Sequence, residues 1–78
     1  MEVIEKIKKE IAFCWYAGKT LNGGLQKWAD DADFFGAELI SAIKAGNKKY
    51  ILSIELDIDE SSCSERTMLK YAQEWARS

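Results

Sequence analysis

Four acidic residues that lie close together in the last third of the chain have the types and spacing that can do chemistry: Glu55, Asp57, Asp59 and Glu60. In an extended segment, alternate side chains share one face at intervals of about 6.8 Å. Such a row of carboxylates can bind a cation, mimic nucleic-acid phosphates or dock on a basic protein surface. Docking is the function we favour, because charge complementarity speeds and orients protein association. The purely structural interpretation is a charged strand edge that prevents aggregation.

A calcium site is the most specific alternative for these acids, and the residue pattern argues against it. Asp57, Asp59 and Ser61 imitate the opening of an EF-hand loop. However, Ser62 occupies the position of the required turn glycine, and Met68 occupies the position of the bidentate glutamate. We therefore expect no metal and no cofactor.

A second acidic cluster, Asp30, Asp31 and Asp33, precedes two adjacent phenylalanines. On its own it reads as an exposed helix face or a helix cap, and it can also extend a docking surface. Exposed aromatic residues are frequent anchors in interfaces. The partner-binding residues predicted from the sequence are Glu55, Asp57, Asp59, Glu60, Asp30, Asp31, Asp33, Phe34 and Tyr71.

Composition excludes several functions. The chain has 78 residues, no histidine and two cysteines, with a net charge of −2. The missing histidine removes the commonest general base and metal ligand, so we expect no enzyme. The acidic balance argues against direct nucleic-acid binding, which needs a basic surface. Two unpaired thiols and no apolar run of membrane-spanning length predict one small cytoplasmic domain covering residues 1–78.

Hydrophobic periodicity predicts three helices. The first covers about residues 3–17 and ends before Gly18, the second covers about 24–45 and ends at Gly46, and the third covers about 63–77. The second helix is continuous or breaks near Asp33, which can cap a shorter helix. The third begins with the spacing of a capping box, from Ser62 to Glu65.

Between the last two helices the pattern changes to strict alternation. The apolar residues are Tyr50, Leu52, Ile54, Leu56 and Ile58. Period two predicts a half-buried strand over about residues 48–58. A single strand needs a partner, so we expect an α+β fold of order α-α-β-α whose strand pairs across a homodimer. The alternative order is α-β-β-α-β-α, with a hairpin at about residues 15–29 around Asn22-Gly23.

These expectations lead to one functional hypothesis and two alternatives. The hypothesis is a small acidic protein-binding module that covers a basic surface of a target, as inhibitor, immunity or anti-defence proteins do. The first alternative is a homodimer that binds a small ligand or a nucleotide through Lys19, Lys48 or Lys49 and an aromatic residue such as Trp15. The second is a structural subunit that assembles only with itself.

Overall fold

The computed structural model of the chain describes residues 1–20 and 26–78, with side chains described for 1–16 and 29–78. This part contains four helices and no strand: α1 (Glu2–Thr20), α2 (Gln26–Lys44), α3 (Lys48–Ser53) and α4 (Cys63–Arg77). The α+β expectation is therefore wrong, both as α-α-β-α and as α-β-β-α-β-α. Residues 15–20 and 26–29 are helical where the hairpin required strands, and its turn at Asn22-Gly23 lies outside the described residues.

The predicted strand over residues 48–58 is instead helix α3, followed by a loop. Asn47 caps α3, since its side-chain oxygen accepts a hydrogen bond from the backbone N–H of Tyr50 at 3.3 Å. Ile51 is fully buried, whereas Leu52 is 43% exposed and Ile58 is 73% exposed, which reverses the predicted inward face at these positions. Burial at Ile51 and partly at Ile54 follows a helical spacing of three residues. Because helical hydrogen bonds form within one segment, α3 needs no partner strand.

The three long helices were predicted correctly, apart from their ends. Helix α1 continues to Thr20, past the predicted end before Gly18. Helix α2 is unbroken through Asp33 and ends in a Schellman motif, in which Gly46 has a φ of 71° and donates to Ile43. Asn47 completes this motif by donating to the carbonyl of Ala42 at 2.9 Å. Helix α4 begins with the predicted capping box.

The core lies between α1, α2 and α4, and it is built from the apolar stripes of these helices. Its fully or nearly fully buried members are Ile4, Ile7, Cys14, Ala29, Ala32, Leu39, Ala42, Ile43, Ile51, Met68, Leu69, Ala72 and Ala76.

Helix α1 runs antiparallel to α4. Cys14, late in α1, forms a hydrogen bond with Ser64, early in α4, whereas Lys6, early in α1, lies over the ring of Tyr71, later in α4. Helices α2 and α4 run in the same direction. Gly36 approaches Met68 near the middle, and Lys48, just after α2, donates to the last residue, Ser78.

Besides the buried Ile51, one amide side chain of α4 holds the end of α3. Gln73 of α4 donates through Nε2 to the carbonyl oxygens of both Ile51 and Ile54, each at 3.2 Å. The carbonyls at the end of a helix have no intrahelical partner. Gln73 therefore satisfies the end of α3 and fixes where the following loop leaves it.

Candidate docking surface

The outward side of α2 combines exposed carboxylates with one exposed aromatic ring. Phe34 is 75% exposed, which is the largest exposure among the large apolar side chains of the described residues. Asp31 and Glu38 are exposed one turn before and one turn after it. We call this surface the α2 face; it consists of Asp30, Asp31, Asp33, Phe34 and Glu38.

The α2 face points outward because the opposite side of the helix carries the apolar stripe. Ala32, Leu39 and Ile43 are buried, and Phe35 packs partly against the core. Successive residues of a helix are rotated by about 100°, so Phe34 and Phe35 point in different directions. From residue 28 to residue 43 the sequence has four acids and no basic residue. The α2 face is therefore purely acidic between Lys27 and Lys44.

The four acids between α3 and α4 are all exposed, and we call Glu55, Asp57, Asp59 and Glu60 the acidic loop. Asp57 also has a structural role. Its Oδ1 accepts a hydrogen bond from the backbone N–H of Asp59 at 2.8 Å, and its carbonyl oxygen accepts from Ser61 at 2.8 Å. This is an Asx turn, so a change at Asp57 would alter the loop as well as its charge. Glu55, Asp59 and Glu60 have no such bonds within the described residues.

Part of each acidic group lies toward the end of the molecule where α4 begins. Helices α2 and α4 run in the same direction, and Asp59 and Glu60 come just before α4 begins, while Asp30, Asp31 and Asp33 belong to the first half of α2. Glu55 lies further along α4, beside Lys70 and Arg77. The sequence alone could not place these two clusters relative to each other.

Tyr71 has a different environment from the other predicted site residues. It is half-buried and packs against the core, and the Nζ of Lys6 lies 5.3 Å from the centre of its ring. Trp75 lies one turn later, and the Nζ of Lys48 is 5.3 Å from the centre of its ring. Both rings line a groove of about 310 Å³ between the start of α1 and the end of α4. Tyr71 thus belongs to this groove and to the fold rather than to the α2 face.

A row of basic residues on α4 was missed by the sequence reasoning. Arg66, Lys70, Gln73 and Arg77 follow the spacing i, i+4, i+7 and i+11, which places them on one side of the helix. We call these residues the α4 row. They line a groove of about 580 Å³ together with Ile54, Glu55, Leu56, Leu69 and Glu74. The spacing is present in the sequence, but residues 51–78 have an excess of acids and their net charge does not indicate a basic row.

Ion pairs are rare among the described side chains. Between described side chains, a single ion pair forms, from Lys6 to Glu2 at 3.7 Å. No group of three or more metal-ligating side chains occurs among the described residues. Burial raises the pKa of the Cys14 thiol, an effect that nearby Glu10 and Glu65 reinforce and that the hydrogen bond with Ser64 opposes. Cys14 is therefore a neutral core residue.

Comparison of the chain with known protein families, with curated proteins and with solved structures finds no match. Among the described residues, no helix has the length and apolar character needed to cross a membrane.

Proposed function

We propose that this protein is a binding module that docks through its α2 face onto a basic surface of a target protein and covers it. The observation that carries the proposal is the exposure of Phe34 on a helix face that has four carboxylates and no basic residue from residue 28 to residue 43. An exposed ring of this size gains free energy when a partner's pocket removes it from water. Aromatic anchors surrounded by polar residues are the usual centres of protein interfaces.

In this proposal the two kinds of residue have different tasks. The carboxylates of Asp31 and Glu38 attract and orient a basic partner, which raises the association rate. Phe34 then enters a pocket of the partner, where it loses contact with water and slows dissociation. Asp59 and Glu60 of the acidic loop extend the attractive field near the start of α4.

Covering a surface requires no chemistry at the binding site, so the proposed role is binding and not catalysis. It agrees with the missing histidine, which is the commonest general base. A cytoplasmic location is part of the proposal, because the free thiol of Cys63 is exposed and remains reduced there. Inhibitors of the immunity or anti-defence type act by such occlusion.

The test is capture of a partner by tagged protein from nuclease-treated lysate, with matched variants. Phe34→Ala and the pair Asp31→Lys with Glu38→Lys should each reduce capture of the same partner by at least tenfold. Phe13→Ala removes an exposed phenylalanine from α1. Glu2→Lys with Glu5→Lys makes the same change of net charge on α1. Both controls should leave capture unchanged, and the proposal fails if the α2-face variants capture as well as the wild type.

A second candidate function, binding of a small ligand, is favoured by the groove between α1 and α4. Its aromatic side chains are Tyr71 and Trp75, and Lys6 and Lys48 lie over their rings. Its volume of about 310 Å³ is at the lower limit of known ligand pockets. Of the lysines that the sequence suggests for a ligand, Lys19, Lys48 or Lys49, Lys48 lies over the ring of Trp75. Glu2 and Glu74 also line the groove, and Lys6 is a cation among its lining residues. An anionic aromatic ligand would stack between the rings and pair with Lys6.

Fluorescence distinguishes the two candidates. Titration with ATP as an anionic aromatic probe should quench the emission of Trp75 if the groove binds this class of ligand. Trp75→Phe should abolish the change, whereas Trp15→Phe should preserve it. An unchanged wild-type spectrum up to about 1 mM ATP, a concentration that detects even weak binding, rules out this class of ligand.

A further inference from the structure

The α2 face has a complement on the surface of the same protein. We propose that the α2 face of one copy docks on the α4 row of a second copy, so that the protein associates head to tail. The inference rests on the proposed function, because the same acidic face makes the contact. The α4 row of a second copy is then one basic surface that the α2 face binds.

The α4 row offers a basic partner with an apolar floor beside it. Lys70 and Arg77 are exposed and form no ion pair with a described residue. Arg66 is held toward the start of α4, since its Nε lies 3.4 Å from the carbonyl of Ser62 and its Nη2 lies 3.3 Å from the Sγ of Cys63. The two remaining cations of the row are therefore available to a partner.

The groove beside the row can receive a phenyl ring. Leu69 is nearly buried, Ile54 and Leu56 are half-buried, and all three line the groove. With about 580 Å³, the groove is larger than a single aromatic side chain. Two carboxylates, Glu55 and Glu74, also line it, so the cations of Arg66, Lys70 and Arg77 outnumber the acids there. In the proposed contact, the ring of Phe34 from one copy packs on these apolar side chains of the other.

The two surfaces match in spacing as well as in charge. Asp31 and Glu38 are seven residues apart, as are Lys70 and Arg77. Seven residues are two helical turns, or about 10.5 Å along the axis. Two such helices lying side by side in the same direction place Asp31 opposite Lys70 and Glu38 opposite Arg77. Phe34 is then level with Gln73, next to the apolar floor.

Within one copy the two surfaces cannot meet. The α2 face lies on the side of its helix opposite to buried Leu39, and Lys70 and Arg77 lie outside the core on α4. The contact must therefore join two copies. It uses different surfaces on each, so it can continue into open chains or close into rings.

Such a contact also regulates the proposed function. A face that is covered by a second copy is not available to the target, so a target must compete with self-association. Because exposed ion pairs are weak and are screened by salt, the assembly is concentration-dependent and dissociates at high ionic strength. Dilution thus releases the docking face.

The experiment measures the mass of the full chain in solution at low salt, by sedimentation equilibrium over a range of concentrations up to about 1 mM, which detects even weak association. The wild type should exceed the mass of one chain, 8.9 kDa, as its concentration rises. The face variant (Asp31→Lys with Glu38→Lys) and the row variant (Lys70→Glu with Arg77→Glu) should each remain monomeric, because each then carries two surfaces of like charge.

The test becomes specific when the two charge-reversed surfaces are brought together again. An equimolar mixture of the face and row variants should associate again, and so should the chain that carries all four substitutions. This recovery also shows that each variant is folded. Glu2→Lys with Glu5→Lys should associate as the wild type does. A wild type that stays monomeric, or association that survives in either single-surface variant, would overturn the inference.

The result also separates this inference from the proposed function. If the wild type is monomeric but the face variant still loses partner capture, only self-docking is wrong. If the face variant stops self-association yet captures the partner normally, only the proposed target surface is wrong.

Discussion

Ser61 and Ser62 are neighbouring serines whose hydroxyl groups have opposite surroundings. Ser62 Oγ accepts from the backbone N–H of Glu65 at 3.1 Å, while the Glu65 carboxylate accepts from the Ser62 backbone. Ser61 Oγ is buried and has no hydrogen-bond partner within the described part of the chain. One hydroxyl therefore stabilises the start of α4, and the other carries the cost of desolvation without a bond.

This difference gives a prediction with an internal control. Ser62→Ala should lower the free energy of unfolding by about 1 kcal/mol, because it removes a helix cap. Ser61→Ala should leave the free energy of unfolding unchanged or raise it slightly, since no bond is lost. Urea denaturation followed by circular dichroism measures both. Equal losses for the two variants would contradict this account of the cap.

The two cysteines should differ in reactivity. Cys63 is exposed and Cys14 is fully buried, with a pKa raised by burial. The thiolate is the reactive form, so Cys14 is protected both by access and by ionisation. A thiol-specific reagent should therefore react rapidly with one equivalent per folded chain, and Cys63→Ser should abolish this fast phase. Two fast equivalents in the native protein would show that Cys14 is accessible.

Protonation of Cys14 also makes a small contribution to stability that depends on pH. Its pKa in the folded chain lies above the ordinary value of 9.0. The unfolded chain therefore releases the proton first as the pH rises. The contribution is complete below pH 9.0 and is lost as the pH rises through the folded pKa. Comparing the wild type with Cys14→Ala between neutral and alkaline pH should show the difference in unfolding free energy shrinking.

At the scale of the elements, the close contact of α1, α2 and α4 depends on Gly36. A Cβ atom at this position would lie 2.5 Å from Ile11 Cδ1, 2.9 Å from Ile11 Cγ1 and 3.1 Å from Met68 Sδ. The first two distances are too short for atoms in contact. A glycine in the middle of a helix is otherwise unfavourable, so its presence in α2 is explained by the approach of α1.

Gly36→Ala should therefore destabilise the protein by about 1–3 kcal/mol, despite the better helix propensity of alanine. Ile11→Val removes the atom with the closest contact. In the Gly36→Ala background it should recover part of the lost stability, whereas in the wild type it should cost about 1 kcal/mol. A double-mutant cycle of unfolding free energies measures this coupling. Additive effects would show that Ile11 does not limit the space at Gly36.

The helices that the sequence predicts well are those whose pattern continues for several turns. Ile4, Ile7, Ile11 and Cys14 repeat at helical spacing in α1, and burial follows this spacing. Over residues 48–58 the alternation was equally clear, but it is shorter, and Ile51 and Ile54 also satisfy a helical period. Periodicity alone does not reveal whether the N–H groups of a segment will find a strand partner or close a helical turn.

Individual residues of the candidate site could be predicted from the sequence, but their arrangement into a surface could not. The exposure of Phe34 follows from its position off the apolar stripe of α2, and the structure confirms it. The involvement of Tyr71 with Lys6 depends on how α1 packs on α4, which no local pattern contains. The α4 row was visible as spacing, but its groove requires the loop after α3 to pass beside it.

At the scale of the whole molecule, the charges contribute more to the surface than to the fold. The chain has 24 charged residues, 11 basic and 13 acidic, yet the described side chains form one ion pair. Exposed pairs of this kind are worth about 0–1 kcal/mol. Ion pairs between described side chains therefore contribute little to stability, and burial of the core contributes most of it.

Salt should consequently separate folding from association. Between roughly 0.05 M and 1 M NaCl, the free energy of unfolding should change by less than about 1 kcal/mol, because little electrostatic stabilisation can be screened. Partner capture should fall steeply over the same range. Chemical denaturation with urea at each salt concentration measures the first quantity. A loss of several kcal/mol in stability would show that the fold depends on charge pairs.

The two hydrogen bonds from Gln73 have a consequence for the order of folding. A six-residue helix is too short to persist alone, and Gln73 contacts carbonyls 22 and 19 residues earlier in the chain. Helix α3 can therefore become stable only after α4 has formed and docked, although it precedes α4 in sequence. In hydrogen exchange, the amides of α3 should open whenever α4 opens. The last helix of the chain thus sets the lifetime of the one before it.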